Sequence, residues 1–412
     1  MAVGPENHRF PEIEALRQSQ PRQSQYVEAQ DLAGGLTQIE LLESGSIYPP
    51  PPEHYEIWKR ISDEGKFVEL DRHYPKDLLE PARNHIRERF GVSDCHIEFR
   101  YGGINQLLLD ELRLLKPPPA RTLVWALGPC FPMIDRHVKS FRNDPEIGSM
   151  RITYTEYPLY DSFDNGLRQM QKERNNSPFR NIAYFICNPS TPKGDVATPE
   201  AMEEFVYNAA LSGDLTIIDE ANADVLPDSE SAIKLTEKYP NVLVNRGMKT
   251  FSESGGRIGW TAMSRGQLSE RFQEFFLDYP LGNFLQLYLN EAMDPAIVVP
   301  HNKSVSERNT DTNRALDIAL AQQGLNSLPH DPRVGHRTVD GGVPGFSRSL
   351  PDLSVAAVSG DRFNVTHREM SSQYIRISTP DTKMKTNNLA RRLKGAQVVA
   401  LQRIDPHYRV RL

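Results

Sequence analysis

Three residues in the middle of the chain have types and spacing that could do chemistry together. Lys249 follows a strand-like run, Asn241-Val242-Leu243-Val244, and Arg257 comes eight positions later inside Gly255-Gly256-Arg257-Ile258-Gly259. Asp219, thirty positions before the lysine, ends another apolar run, Leu215-Thr216-Ile217-Ile218. An amine forms a Schiff base with an aldehyde, a carboxylate at a strand end holds a heterocyclic nitrogen protonated, and an arginine among glycines meets a phosphate. Singly, each residue has an ordinary explanation: most lysines are solvated, and an aspartate after a strand is often a helix cap. As an ordered set they suit pyridoxal 5'-phosphate, which carries an aldehyde, a ring nitrogen and a phosphate.

Further candidates fall where ligands collect in open α/β sheets, beyond the carboxyl ends of strands. Tyr101-Gly102-Gly103-Ile104-Asn105-Gln106 precedes a helix, and glycines there let backbone N–H groups approach a phosphate favoured by the helix dipole. Gly128-Pro129-Cys130-Phe131 follows a strand, so Phe131 is placed to stack on a flat ring. Asn188-Pro189-Ser190-Thr191-Pro192-Lys193-Gly194 is a rigid turn suited to aiming Asn188 and Thr191 at a ligand. Arg376, in Tyr374-Ile375-Arg376-Ile377-Ser378, is a strand arginine suited to a carboxylate in an inter-domain cleft.

The elements that must position these residues alternate. Apolar runs predict strands over 122–127, 151–155, 181–187, 215–219, 242–245 and 257–263. Helical patterns predict helices over 76–90, 105–115, 199–211, 267–276 and 284–293. Thr198 followed by Pro199 is a helix start, and Pro117-Pro118-Pro119 is a stop. Alternation of this kind means an α/β domain with a mainly parallel sheet. From about 295 the texture changes to a helix over 304–323, a Gly/Pro/Ser-rich stretch, a strand over 374–377 and a helix over 386–393. The expected division is an arm over 1–53, its first 35 or so residues polar and disordered, a large domain over 54–294 and a small α+β domain over 295–412.

Composition narrows the function. A chain of 412 residues, 38% of them hydrophobic, can bury two domain cores. A formal charge of −6 does not favour nucleic acid as a partner. The three cysteines show no disulfide or metal spacing, so no metal is expected. No apolar run approaches a membrane span and the N-terminus lacks an apolar signal core, which leads us to expect a cytoplasmic protein.

These residues in this order resemble the class I/II aminotransferases of pyridoxal-phosphate fold type I, nearest in look to the histidinol-phosphate aminotransferase and threonine-phosphate decarboxylase branch. The resemblance runs from about residue 41 to 393 and implies a seven-stranded sheet and a homodimer with sites at its interface. The 188–194 turn looks like the family's NPxNPTG, Asp219-Glu220-Ala221-Asn222 like its D-E-A-Y, and Arg257-Ile258-Gly259 agrees with its RxG. His73-Tyr74-Pro75 resembles its RYP segment, and Gly45, in Leu42-Glu43-Ser44-Gly45, falls in the segment that closes over the substrate. The resemblance implies that Lys249 carries the cofactor and shuttles the α-proton, that Asp219 pairs with the ring nitrogen, and that Phe131 stacks on the ring. Gly103, Ile104, Asn105 and Arg257 would hold the phosphate, with Tyr74 from the neighbouring subunit, and Arg376 would bind the α-carboxylate.

Three positions depart from the family pattern. Thr191 stands where an asparagine meets the cofactor's phenolic oxygen, and Asn222 where a tyrosine does. Arg246 stands where a small hydroxyl residue lies three before the lysine. Arg246 adds a cation that would meet the phosphate or an anionic group on a larger substrate, or form a surface ion pair. The expectation is therefore a shifted cofactor pKa and a specialised amino-acid substrate. Amino-group transfer is the default reaction. Elimination, replacement, decarboxylation or ring closure is the alternative, and a non-catalytic homologue a third.

Overall fold

Strands that are apolar on both faces need cover on both faces, and the order of helices and strands supplies it. The computed structural model describes residues 40–41, 49–63, 76–115, 122–141, 150–179, 182–248, 257–274, 281–380 and 383–408. After β1 (Glu40–Leu41) come α1 (Pro52–Asp63), α2 (Glu80–Phe90), β2 (Cys95–Tyr101), α3 (Ile104–Leu114), β3 (Leu123–Gly128) and α4 (Met133–Ser140). Next are β4 (Arg151–Glu156), α5 (Phe163–Asn175), β5 (Ile182–Cys187), α6 (Pro199–Leu211), β6 (Leu215–Asp219), α7 (Leu235–Lys238) and β7 (Val242–Gly247). Then follow β8 (Ile258–Ser264), α8 (Gln267–Glu274), α9 (Asn283–Ala292), α10 (Pro295–Gln322), β9 (Asn326–Ser327) and β10 (His336–Asp340). The last are β11 (Val355–Ala356), β12 (Val358–Ser359), β13 (Tyr374–Ser378) and α11 (Lys383–Ile404).

Seven strands form the central sheet in the order β2-β8-β7-β6-β5-β3-β4. The pairs among β4, β3, β5, β6 and β7 are parallel, and β8 runs antiparallel to both β7 and β2. Alternation sorts the side chains onto two faces. Val124, Phe185, Ile217, Leu243 and Met263 share one core with the leucines of α3. Trp125, Tyr184, Ile218, Val244 and Trp260 share the other, with α2, α6 and α9. A second sheet, in the order β12-β13-β10-β9, packs its apolar face on α10 and α11 through Val339, Ile375, Ile377, Leu316 and Leu393.

The expected strands match those observed to within one or two residues at each end. β2 and β10 were not expected. In β2, Cys95, Ile97 and Phe99 are buried between His96, Glu98 and Arg100, a period-2 pattern that lacks a continuous apolar run. β10 reads His-Arg-Thr-Val-Asp, yet its first four residues are buried. Helices α1, α4 and α5 were also unexpected; Ser162 caps α5 by accepting from the Asn165 N–H. α10 begins at Pro295, not 304, because Asp294 caps it and Pro295 occupies the first turn. α11 runs through Ile404, well past the expected 393.

Candidate active site

Parallel strands bring their carboxyl ends to one edge of a sheet, and an antiparallel strand brings its start to the same edge. The segments after β2, β3, β5, β6 and β7, and the residues that open β8, therefore meet along one edge. Cys187, Asp219 and Asn245 are partners across β5, β6 and β7, and the Asn188 N–H donates to the Asp219 carbonyl at 2.9 Å. Asp219 is buried. One carboxylate oxygen accepts the Ala221 N–H at 2.9 Å, and the Cys187 thiol lies 3.9 Å from the other.

At the far end of the same edge, β8 and the start of α3 come together. Gly102 and Gly103 have φ of +96° and +65°, a left-handed region that glycine enters without strain. A Cβ on Gly259 would lie 3.0 Å from both the Gly103 carbonyl carbon and a Leu107 methyl, so glycine is what permits the approach. Arg257, itself at φ 52°, donates from Nη2 to the Gly102 carbonyl at 3.2 Å. Ile104 begins the helix, and the buried Oδ1 of Asn105 has no hydrogen-bond partner among the described residues. A glycine cradle, a helix N-terminus and an adjacent guanidinium fit a phosphate. With Asp219 at the other end, the residues fit pyridoxal phosphate.

The 188–194 turn is braced from three sides. Asn188 Oδ1 accepts the Ala197 N–H at 3.0 Å, and Lys193, buried, donates to the Asp161 carbonyl at 2.9 Å and pairs with Asp195 at 3.0 Å. From β10, Thr338 donates to the Pro192 carbonyl at 2.9 Å and His336 Nε2 lies 3.1 Å from the Ser190 carbonyl. Thr191 is buried within this turn, and Asn222 is half-buried just before the 3-10 turn Ala223–Val225. Arg376 is the partner of Thr338 across β10 and β13, so both project from the sheet face that meets this turn. Phe131 is half-buried against the α3-side core, and the Cys130 N–H donates to Thr366 Oγ1 at 3.3 Å, tying the segment to the C-terminal part of the chain. Burial, with the Asp219 charge adding to it, pushes the Cys130 thiol far above its ordinary range, so it is inert.

Arg246 is a correction. It alternates with Asn245 on β7 and therefore projects from the sheet face opposite Asp219. Its guanidinium donates to Glu220 and Asp224 at 2.9 and 3.0 Å and lies 5.0 Å from the centre of the Phe90 ring. It is buried on the face away from Asp219 and closes an ion-pair network with Glu220 and Asp224. Lys249, Tyr74 and Gly45 lie outside the described residues.

One carboxyl at this edge escaped the sequence reading. Glu111, on α3, is completely buried; its Oε2 accepts the Asn245 amide at 2.9 Å and its Oε1 the Thr261 hydroxyl at 3.4 Å. Burial pushes its pKa up to about 8. The available signal was an acidic residue inside the apolar helix Leu107-Leu108-Leu109-Asp110-Glu111-Leu112.

The family model of aminotransferase class I and II matches residues 129–393. The histidinol-phosphate aminotransferase of Brachyspira hyodysenteriae is 30% identical over 301 residues, which is 70% of this chain and 74% of that protein. The solved structure of histidinol-phosphate aminotransferase from Sinorhizobium meliloti in complex with pyridoxal-5'-phosphate has a TM-score of 0.67 at 19% identity, over 93% of this chain and 96% of that one. Aspartate aminotransferase from Thermus thermophilus with maleate has a TM-score of 0.72 at 15% identity, over 93% and 98%. At those identities the structural likeness speaks for the fold alone. The comparisons do not favour the elimination, decarboxylation or ring-closure alternative. The extent of the family match and the identity to a relative along most of its length make this chain a member of the aminotransferase class I and II family, and hence a pyridoxal-phosphate-dependent enzyme of the aminotransferase type.

Proposed function

We propose that the enzyme moves an amino group from an amino acid to a keto acid at the carboxyl edge of the central sheet. The observation that carries this reading is that Asp219 and the Gly103/Gly259 cradle with Arg257 lie along that one edge, matched to the two polar ends of pyridoxal phosphate. Bound there, the cofactor supplies an electron sink for the electrons released at the substrate α-carbon.

The chain's own residues do the rest. Asp219 keeps a proton on the ring nitrogen. The N–H groups that open α3 and the Arg257 guanidinium hold the phosphate, and Gly103 lets the backbone come close. Phe131 covers one ring face and excludes water. Thr191 and Asn222 stand at the phenolic-oxygen side, with shorter reach than the family's residues, and Asn188 shapes the substrate side. Arg376 binds the α-carboxylate with two parallel hydrogen bonds. Lys249 anchors the cofactor, takes the α-proton and returns it. Tyr74 is contributed by a second copy of the chain, so the working unit is a homodimer. Residues 54–294 form the cofactor domain, 295–412 the small domain that carries Arg376, and 1–53 an arm whose Gly45 segment closes over the substrate. No described helix is long and apolar enough to cross a membrane, and we place the enzyme in the cytoplasm, acting on an amino acid of specialised structure.

Borohydride reduction of the holoenzyme followed by peptide mapping tests the assignment. A pyridoxyl group on Lys249 is the expected result. The same group on another lysine, or on none, overturns it.

A further inference from the structure

Glu111 has no role in the reaction described above, yet it lies directly beside the residues that form the floor of the site. Asp219, Asn245 and Thr261 are cross-strand neighbours on one face of β6, β7 and β8, and Glu111 sits over the last two. Both donors to it are uncharged. Among the described residues no donor meets the buried Asn245 Oδ1, and a protonated Glu111 carboxyl beside it carries the proton to supply one.

No basic side chain meets Glu111 among the described residues. The charges acting on it are Asp219 and Asp110, both negative. Of the ionisable groups on elements packed against α3, Glu98 on β2 is the cross-strand partner of Thr261 and lies 3.4 Å from His96 and 3.8 Å from Arg83, and Arg100 lies 3.5 Å from Asp110. On α4, Asp135 pairs with Lys139, Arg136 lies beside Met133, and burial pushes the His137 pKa down to about 4. On α8, Arg271 donates to the Leu114 carbonyl, and Glu270 is exposed. Arg246 on β7 is on the opposite face, bound to Glu220.

We propose that Glu111 is a positioning residue of the cofactor floor: in its uncharged form it fixes Asn245 beside Asp219 and leaves Asp219 the single anion beneath the ring. The cofactor half of this statement rests on the role assigned to Asp219 above. The physical reason is the cost of a second buried anion. Glu111 is completely buried with no basic partner among the described residues, so burial disfavours its charged form, and the negative charges of Asp219 and Asp110 add to that. As Glu111 ionises at alkaline pH, a second charge arrives beside Asp219 and the Asn245 amide, and the environment of the ring nitrogen changes with it.

The sign for stability follows. The ordinary carboxyl value is 4.5 and the folded value is about 8, so the folded chain holds this proton longer than the unfolded chain does. Stability is therefore lost as pH rises from about 4.5 to about 8 and is flat above that on this account. Glu111→Gln keeps the shape and removes the proton.

Two readouts on the intact chain test the idea. In the apoprotein, the thermal midpoint of wild type should fall more steeply between pH 5 and pH 8.5, roughly the window set by the two values, than that of Glu111→Gln. In the holoenzyme, the two proteins should share one cofactor absorbance spectrum near pH 6. On titration to alkaline pH their spectroscopic midpoints should separate by about half a unit or more, the Coulombic effect of one close charge. Superimposable profiles in both measurements overturn the proposal. If Glu111→Gln does not fold, infrared spectra of wild type decide it: loss of a protonated-carboxyl C=O band on raising the pH through about 8 is expected, and no such band at neutral pH refutes it. If Asp219→Asn leaves the cofactor spectrum unchanged, the reading of Asp219 fails and takes the cofactor half of the proposal with it. The apoprotein slope then still decides the charge of Glu111.

Discussion

Replacing Arg246 separates two roles for one cation. In the structure its Nε and Nη2 both lie 2.9 Å from Glu220 Oε2 and its Nη1 3.0 Å from Asp224 Oδ1, with the arginine side chain 1% exposed. Burial opposes its charge, but Glu220 and Asp224 outweigh that and raise its pKa. Arg246→Met preserves much of the apolar stem over Phe90 and removes the guanidinium. Two buried carboxylates are then left without their cation, a change that costs about 3–5 kcal/mol. Glu220 keeps the Ser231 hydroxyl and the Ala232 N–H, each at 2.7 Å, which puts the expected loss at the lower end, about 3 kcal/mol. That is a fall of about two orders of magnitude in the folding equilibrium constant. Urea unfolding of the apoprotein at pH about 7, near the middle of the stable range of most proteins, measures it as a lowered midpoint at unchanged slope. Cofactor affinity of the folded protein should be unchanged, because Arg246 faces away from Asp219. Adding Glu220→Gln and Asp224→Asn should recover most of the loss by removing the stranded charges. An Arg246→Met protein of wild-type stability whose cofactor affinity is tenfold weaker would refute the face assignment and restore a phosphate role.

Two further outcomes follow from the site. Gly259→Ala places a Cβ 3.0 Å from the Gly103 carbonyl carbon, so the start of α3 must move by a few tenths of an ångström. Pyridoxal-phosphate affinity, measured by fluorescence titration, should weaken about fivefold, the worth of one impaired hydrogen bond, without loss of fold. Arg376→Lys keeps the charge but loses the planar fork. KM for the amino acid should rise about tenfold while cofactor affinity holds, and equal weakening of both would mean that Arg376 serves the cofactor end instead.

What the sequence by itself determined was local. β6 was expected over 215–219 and is found there, because a short apolar run with an aspartate after it has one good solution in a sheet covered on both faces. α6 was expected over 199–211 and is found there, because Thr198 accepts the Ala201 N–H and Pro199 fits the first turn. Asp219 closes an apolar run and Arg257 opens one, and it is the antiparallel course of β8, which the sequence did not reveal, that brings both to one sheet edge. What only the tertiary structure decided was the facing of side chains and the burial of polar ones. Arg246 looked like part of the phosphate end because it lies three residues from Lys249. A strand alternates sides, and the buried Glu220 and Asp224 that receive it are 26 and 22 residues away in sequence. β10 carries no apolar signal because the partners of His336 and Thr338 are carbonyls of the 188–194 turn, 146 positions away. Glu111 falls in the helix expected over 105–115, but only the tertiary structure closes β7 and β8 over it with Asn245 and Thr261. In each case the free energy comes from pairing a buried polar group with a partner distant in the chain, and no local pattern of residues encodes that partner.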